Sequence, residues 1–353
     1  MSPRLEDLLR RAPVPPEADA DLRQMFGDES ILVTGAAGSI GSELARQLAR
    51  LRPRQLVLLD RAEGPLFELQ NEMAAAGVDT TVSFELVDIV DQRALERVVD
   101  GCTPGVIFHA AAYKHVSMME EHPAAAIEVN VGGTRNVLNA AERAGVRRLV
   151  LVSTDKAVEP MSVMGASKRL AEAMVEERSE RLGRAWVSVR FGNVLGSSGS
   201  VVPIWEKQLA AGLPLTITDP AMTRYFMTVS EAVNLIVTAG ALAAPGDLLI
   251  LDMGEPILIL DLARDFLQMH GQDEASVGIA ITGLRPGERL HERLIDPSER
   301  ARPTGNPKIM RAVRNGGRPS QDLGAVVDEL LRLAGNGDTI TARTRLLEAV
   351  APA

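Results

Sequence analysis

Hydrophobic residues in the first half of the chain follow two alternating periods. ILVTG (31–35) is a short apolar run that ends at a glycine, as is typical of a buried parallel strand. Ile40, Leu44, Leu48 and Leu51 follow at helical spacing, and QLVLLD (55–60) predicts a second strand. Further strands are predicted at VSFELVD, GVIFHAA, RRLVLVST and AWVSVRF, with segments of helical period between them. This alternation predicts an α/β fold, in which helices cover both faces of a parallel sheet.

The loop after the first strand has the sequence TGAAGSIG (34–41), with glycines spaced Gly-x-x-Gly-x-x-Gly. Glycine is required where a backbone turns tightly against a pyrophosphate, and the following helix offers free amides to that anion. This combination of strand, loop and helix predicts a dinucleotide site rather than an ordinary tight turn. The cofactor-binding residues predicted here are Gly35, Gly38, Ser39, Ile40 and Gly41.

An acidic residue at the end of the second strand indicates which dinucleotide is bound. Asp60 stands where a carboxylate accepts hydrogen bonds from the adenosine ribose hydroxyls, which favours NAD. The adjacent Arg61 offers a partner to a 2′-phosphate, so NADP remains open. The later strand ends and the helices beside them add predicted cofactor contacts at Asp88, Ile89, Ala110, Ala111, Ala112, Asn130 and Ser153. Asp88 has the alternative role of capping a turn.

The hydrophobic pattern loosens after Phe191, where loops containing Gly and Pro separate shorter helices. We therefore predict a lead-in segment at 1–27 and a Rossmann-type, doubly wound domain at 28–192, to which 225–253 returns. A smaller, mostly helical substrate-binding region is predicted at 193–224 and 254–353.

Composition limits the function classes. The 353 residues are 46% hydrophobic, enough for a large core and too many for a disordered chain. The net charge of −9, without a long Lys/Arg run, argues against a nucleic-acid partner. We expect no membrane segment in this chain and a cytoplasmic location, which the single cysteine, Cys102, also suits. The five histidines lack metal-site spacing, so no metal is predicted.

The segment VSTDKAVEPMSVMGASKRLAE (152–172) resembles the active-site segment of the extended short-chain dehydrogenases. It is most similar to that of UDP-N-acetylglucosamine 4,6-dehydratases, the CapD-like proteins of bacterial polysaccharide synthesis. Other stretches agree in register: AAYKHVSMMEEHP, NVGGT, RFGNVLGSSGSVVP, DPAMTRYFMT and GLRPGERLHE. The resemblance implies a homo-oligomeric NAD(P)-dependent lyase acting on a UDP-sugar.

One position departs from the general dehydrogenase pattern, because Tyr-x-x-x-Lys becomes Met164-x-x-x-Lys168. Methionine has no ionisable group, so the usual tyrosinate base is absent. One branch of the resembled dehydratases also has methionine here, and the resemblance then implies a catalytic step at Thr154, Asp155 and Lys156. Lys156 would take the C5 proton of the sugar, Asp155 would protonate the C6 hydroxyl, and Lys168 would hold the nicotinamide ribose. The base for the C4 hydroxyl stays open between Asp155 and Thr154 with a water.

This assignment carries two physical conditions. Successive residues of a strand face opposite sides, so Asp155 and Lys156 can serve one substrate only if the backbone turns there. The reaction needs neutral lysine and protonated aspartic acid, a pair that costs roughly 9 kcal/mol in water. The pair must therefore be buried, and the competing interpretation is a surface ion pair at a strand end.

The resemblance also implies substrate contacts, namely Lys114, His115, Met164, Asn193, Arg224, Arg285 and Glu288. Asn193 would touch the diphosphate or sugar, the two arginines phosphate, and Glu288 the uridine ribose. Alternatives remain open for these residues. Arg224 and Arg285 could each form only a structural salt bridge, and Met164 could simply pack in the core. His115 could be a partly buried histidine whose hydrogen bonds are satisfied within the protein. Asn130 has the alternative of anchoring the active-site helix or a water.

Two other functions fit the same fold. A nucleotide-sugar 4-epimerase is disfavoured by the missing tyrosine, and a dinucleotide sensor without catalysis would leave the Asp-Lys step without purpose. The lead-in SPRLEDLLRRAPV resembles the junction that joins a membrane domain to the catalytic domain in larger relatives. The sequence leaves open whether the chain is naturally separate or trimmed.

Overall fold

The computed structural model describes residues 5–12, 19–314 and 322–351. The parts of the predicted lead-in at 1–4 and 13–18, and of the predicted C-terminal region at 315–321 and 352–353, lie outside the described residues.

The strands are β1 (Ser30–Thr34), β2 (Gln55–Asp60), β3 (Thr81–Leu86), β4 (Val106–His109), β5 (Arg148–Val152), β6 (Ala185–Arg190), β7 (Asn193–Val194), β8 (Leu215–Ile217), β9 (Thr223–Arg224), β10 (Phe226–Met227), β11 (Leu248–Leu251), β12 (Ile257–Leu258), β13 (Ile279–Ile281), β14 (Glu299–Pro303) and β15 (Ile309–Arg314). Within the described residues, nine of them form one sheet in the order β14-β15-β11-β6-β5-β4-β1-β2-β3. The strands from β11 to β3 in this order are parallel, whereas β14 and β15 are antiparallel at one edge.

The helices are α1 (Asp19–Phe26), α2 (Ser39–Arg50), α3 (Glu63–Ala75), α4 (Gln92–Cys102), α5 (Val116–Glu121), α6 (Pro123–Ala126), α7 (Thr134–Arg143), α8 (Val163–Leu182), α9 (Val201–Ala210), α10 (Val229–Leu242), α11 (Ile259–Met269), α12 (Glu274–Val277), α13 (Leu323–Gly335) and α14 (Thr339–Ala349). A π-helical segment, Ile127–Gly133, joins α6 to α7, and 3-10 turns lie at Leu5–Leu9 and Asp155–Ala157.

Helices cover both faces of the sheet, as the hydrophobic pattern predicts. On one face α2, α3 and α10 bury residues such as Leu44, Leu69 and Ile236 against the strands. On the other face α4, α7 and α8 pack with α13 and α14. The strands supply both cores because successive side chains point to opposite faces. The predicted doubly wound α/β fold is confirmed.

A third apolar cluster lies in the region predicted to bind substrate. It includes Trp205 of α9, Phe266 of α11 and Leu195. Leu8 and Leu9 of the lead-in are buried in the same cluster. The described start of the lead-in is therefore packed against this region.

The C-terminal region contributes more to the central sheet than its mostly helical prediction indicates. β14 and β15 add two strands to it, and Leu330 and Leu346 of the last two helices join the core beside α8. The sequence signal was weak because ERARP and IMRAVR carry charges at an edge, without the apolar run of a buried strand. The exact domain boundaries stay a prediction. Among the described residues, we find no helix with the length and apolar character needed to cross a bilayer.

Candidate active site

The glycines of the phosphate loop bring three backbone segments together at the end of β1. Gly35 has a φ of +72°, and a Cβ there would lie 2.5 Å from the Ala111 backbone nitrogen. A Cβ on Gly41 would lie 2.0 Å from the Gly35 carbonyl oxygen. Gly38 immediately precedes α2 and lines the adjoining cleft, and a Cβ there would lie 3.3 Å from the Gly35 carbonyl oxygen. The loop thus has the close packing that a bound pyrophosphate requires.

The cleft beside this loop gathers most of the predicted cofactor residues. It is lined by Gly35, Gly38, Asp60, Arg61, Asp88, Ile89, Ala110, Ala111 and Ala112, with Leu59, Val87, Tyr113 and Val129, which the sequence analysis missed. Ser39, Ile40, Gly41, Asn130, Ser153 and Lys168 are not among its lining residues. Tyr113 directly follows Ala110, Ala111 and Ala112 in the sequence, so its place next to these predicted residues could have indicated that it lines the cleft.

Polar contacts fix the acidic rim of the cleft. Asp60 accepts the amides of Ala37 and Ala62, both at 2.9 Å, so it holds the phosphate loop closed. Arg61 pairs with Asp88 at 3.2 Å and donates to the Tyr113 hydroxyl. The hydrogen bond with Tyr113 raises the pKa of Arg61, against the effect of burial.

We expect Gly41→Ala to lower the free energy of unfolding by about 1–3 kcal/mol, because the new methyl group would overlap the Gly35 carbonyl. We also expect it to weaken dinucleotide retention, since the loop must open. Gly64→Ala is the matched control, because no heavy atom lies within 4 Å of its Cβ position. Urea unfolding and cofactor content measure both effects, and equal behaviour of the two variants would contradict the close packing.

The backbone turns immediately after β5, as the proposed pair requires. Thr154 precedes the 3-10 turn that contains Asp155 and Lys156. Lys156 Nζ donates to Asp155 Oδ1 at 2.9 Å and to Asn193 Oδ1 at 3.1 Å. The Thr154 hydroxyl donates to the same Asp155 oxygen at 2.9 Å. The turn therefore brings four predicted residues into one hydrogen-bonded group.

Asp155 is the most deeply buried residue of this group. It is fully buried, and its Oδ2 has no hydrogen-bond partner among the described residues. A Cβ on Gly192 would lie 3.2 Å from that oxygen, so the Gly192 backbone packs close to the carboxylate. Lys156 keeps 20% of its side chain exposed. The surface ion-pair interpretation therefore does not describe Asp155.

Lys168, on α8, is 5% exposed, and no described side chain forms an ion pair or hydrogen bond with its ammonium group. Burial lowers the pKa of Lys168 from 10.5 to about 8, although Glu172 opposes this shift. His109 is also buried, between the Thr34 hydroxyl at 2.6 Å and the Thr134 hydroxyl at 3.0 Å. Burial, assisted by Lys168, lowers the pKa of His109 to about 3, so the imidazole is neutral.

The buried lysine predicts a pH dependence of stability in the cofactor-free protein. Between about pH 8 and 10.5 the unfolded chain binds more protons at Lys168 than the folded chain does. The free energy of unfolding should therefore rise with pH in this window, by about 3 kcal/mol for this group. Urea unfolding across the window should show the rise in wild type and a smaller one in Lys168→Met. The same pH dependence in both proteins would contradict the assignment.

Ser153 and Asn130 have structural partners. The Ser153 hydroxyl donates to Glu172 at 2.6 Å, and Glu172 forms a buried network with Arg190 and Glu299. Asn130 is fully buried in the π-helical segment, where it bonds both backbone groups of Tyr113 and the hydroxyl of Ser167. This geometry matches the anchoring alternative for Asn130.

The other predicted substrate residues differ in burial: Arg224 and Met164 are buried, whereas others are exposed. Arg224 is buried, and its guanidinium donates to the carbonyls of Thr223, Arg289 and Leu290, which matches the structural alternative. Met164, in the first turn of α8, is buried in the apolar core on that face of the sheet.

Three of the remaining substrate candidates are exposed. Arg285 extends into solvent, while its amide is bound by Glu288 at 3.1 Å. Lys114 and His115 are exposed as well, and the His115 ring lies against Gly199 in the loop after β7. The described residues contain no cluster of His, Cys, Asp or Glu that could hold a metal ion.

A family model described as "Polysaccharide biosynthesis protein" matches residues 31–314. The chain belongs to this family. The probable polysaccharide biosynthesis protein EpsC of Bacillus subtilis is 42% identical over 84% of this chain and 50% of its own. The capsular polysaccharide biosynthesis protein CapD of Staphylococcus aureus is 42% identical over 84% of this chain and 49% of its own. The chain spans about half the length of these two curated relatives, and they confirm the CapD-like resemblance.

In more distant relatives, the match with this chain covers most of the relative's own length. A UDP-glucose 4-epimerase of Rickettsia canadensis is 33% identical over 79% of this chain and 81% of its own. The X-ray structure of Pen from Bacillus thuringiensis superimposes with a TM-score of 0.74 at 28% identity, over 89% of this chain and 99% of Pen. The dTDP-glucose 4,6-dehydratase DesIV of Streptomyces venezuelae, solved with NAD bound, gives a TM-score of 0.66 at 26% identity, over 75% of this chain and 88% of its own.

Proposed function

We propose that this chain is an NAD(P)-dependent 4,6-dehydratase that converts UDP-N-acetylglucosamine to a UDP-4-keto-6-deoxy sugar for polysaccharide synthesis. The family and the likeness to a nucleotide-sugar dehydratase support the reaction class. The observation that carries the proposal is the buried Asp155 carboxylate, which accepts a hydrogen bond from Lys156 in the same turn. Such a pair suits proton transfer at adjacent sugar carbons.

The residues of the cleft fit a dinucleotide. Gly38 lines the cleft without a side chain beside the phosphate loop, and we assign Lys168, a buried lysine on α8 outside the cleft lining, to the nicotinamide ribose. NAD is favoured because DesIV binds it and because Arg61 is already engaged by Asp88 and Tyr113. When bound, the cofactor supplies hydride transfer, from sugar C4 and back to C6.

Lys156 is proposed as the base for the C5 proton. Moving the shared proton from Lys156 Nζ to Asp155 Oδ1 along their 2.9 Å hydrogen bond leaves a neutral amine and a carboxylic acid. These are the forms that the reaction needs. Asn193 holds the amine in place.

Asp155 is proposed as the acid for the C6 hydroxyl. Oδ1, which receives the proton from Lys156 and accepts a hydrogen bond from Thr154, would pass that proton to the leaving hydroxyl. A positioned acid of this kind contributes about 10²–10⁴ in rate.

A second candidate, a nucleotide-sugar 4-epimerase, is favoured by the Rickettsia relative. Met164, buried where the general pattern has a tyrosine, counts against it. Incubation with UDP-N-acetylglucosamine, followed by mass spectrometry of the product, distinguishes the candidate functions. A 4-keto product lighter by one water supports the dehydratase, an isomer of equal mass the epimerase, and binding without turnover a sensor.

A further inference from the structure

Residues 5–11 of the lead-in, to which the proposed mechanism gives no role, pack against the strand pair β7 and β10. Leu8 and Leu9 are buried in one apolar cluster with Leu195 and Phe226. Phe226 belongs to β10, and Leu195 directly follows β7. Apolar packing therefore anchors this segment on both strands.

Arg11 adds polar contacts at the end of β10. Its guanidinium donates to Glu231 Oε1 at 2.7 Å and to the Phe226 carbonyl at 3.4 Å. Glu231 is buried and forms, with Thr228, the capping box that begins α10. The planar fork of arginine can hold a carboxylate and a carbonyl at the same time. Arg11 therefore ties β10 to the start of the helix that follows it.

β10 in turn holds the strand that carries Asn193. Asn193 and Phe226 are paired in register, and the Asn193 amide donates to the Tyr225 carbonyl at 2.9 Å. The Asn193 side chain accepts the hydrogen bond of Lys156 at 3.1 Å. A continuous series of contacts thus leads from Arg11 through β10 and β7 to the amine of Lys156.

A second series of contacts reaches the same turn through the end of β11. A Cβ on Gly254 would lie 3.3 Å from Arg11 Cδ. The preceding residue, Met253, accepts the Gly192 amide at its Sδ. The Gly192 backbone packs close to the Asp155 carboxylate, since a Cβ there would lie 3.2 Å from Oδ2. Arg11 thus lies where two packed routes to the proposed catalytic pair begin.

We propose that Arg11 is a positioning residue for the dehydration: by holding β10 and the start of α10, it keeps Asn193 within hydrogen-bond distance of Lys156. The inference rests on the proposed function, in which Lys156 is the base for the C5 proton. The lysine amine stands on a flexible four-carbon stem, so its acceptors direct it. A displacement of about 1 Å at such a group can cost about 10²-fold in rate.

The test compares Arg11→Met with Arg10→Met, a matched change at the neighbouring arginine. Arg10 pairs with Asp261 and Asp265 of α11, and its side chain is 47% exposed. We expect Arg11→Met to keep its cofactor content and to lower kcat by a factor between about 10 and about 10². Arg11→Lys, which keeps a cation beside Glu231, should restore part of kcat. Arg10→Met should match wild type.

A double-mutant cycle with Asn193→Ala separates positioning from general destabilisation. If Arg11 acts through Asn193, Arg11→Met should lower kcat little further in the Asn193→Ala background, because changes within one network of contacts are not additive. An equal loss of kcat in both backgrounds would overturn the inference. If Arg11→Met fails to fold, the same cycle with Arg11→Lys decides.

Crystal structures of the variants give a readout apart from turnover. Lys156 Nζ and Asn193 Oδ1 should stay within hydrogen-bond distance in wild type and in Arg10→Met, and they should be separated in Arg11→Met. An unchanged contact in Arg11→Met would overturn the inference. If wild type forms no dehydrated product, the proposed function fails, and this distance still decides whether Arg11 positions Asn193.

Discussion

Lys156→Met should abolish formation of the 4-keto product while the protein keeps its bound dinucleotide. Methionine preserves much of the side-chain volume but cannot accept the C5 proton, and loss of a general base costs about 10²–10⁴ in rate. Lys156 contacts Asp155 and Asn193, and it is not among the residues that line the dinucleotide cleft. Product formation followed by NMR, with cofactor content measured after denaturation, separates catalysis from binding.

The matched control is Lys207→Met, at an exposed lysine on α9. It should retain wild-type turnover. Normal turnover in Lys156→Met would remove Lys156 as the base, and loss of the cofactor from that variant would show a structural role instead.

Arg190→Met should lower the free energy of unfolding by about 3–5 kcal/mol. Arg190 is fully buried and donates to Glu172 at 2.8 and 2.7 Å and to Glu299 at 2.7 Å. Burial alone would raise the pKa of Glu172, but Arg190, together with Arg169 and Ser153, outweighs burial and brings the value to about 2. Without the guanidinium, the buried carboxylates of Glu172 and Glu299 would keep only one cationic partner, Arg169, at 3.3 and 3.5 Å.

Arg46→Met is the control for this change, because Arg46 and Glu72 form an ion pair whose side chains are 40% and 49% exposed. Such a pair contributes about 0–1 kcal/mol. Urea unfolding of both variants measures the contrast. A cost for Arg190→Met no greater than that for Arg46→Met would contradict the importance of the network. Because Ser153 also bonds Glu172 next to the catalytic turn, the variant should lose activity before it unfolds.

The features that the sequence predicted well depend on local patterns. Buried parallel strands appear as apolar runs such as Leu56–Leu59, and the glycine spacing marks the phosphate loop because backbone approach there excludes side chains. The turn at Asp155 followed from requiring adjacent residues to face one substrate, and the structure has that turn. The catalytic and binding roles themselves stay predictions.

The features that the sequence did not predict depend on contacts between distant residues. The Arg190 network joins β6, α8 and the start of β14, which no spacing along the chain indicates. The resemblance implies a phosphate contact for Arg224, which stays a prediction, and no spacing along the chain indicates that its guanidinium donates to the carbonyls of Arg289 and Leu290. Glu292 ends the quoted motif GLRPGERLHE, but only the fold shows that its carboxyl group is buried, 3.9 Å from the Arg224 guanidinium.

The most direct test uses UDP-N-acetylglucosamine that carries deuterium at C4 of the sugar. With Asp155 and Lys156 acting as proposed, NMR of the product should show the deuterium at C6 of a 4-keto-6-deoxy sugar, transferred within one active site. Deuterium that remains at C4 in a recovered or epimerised sugar would contradict the dehydratase.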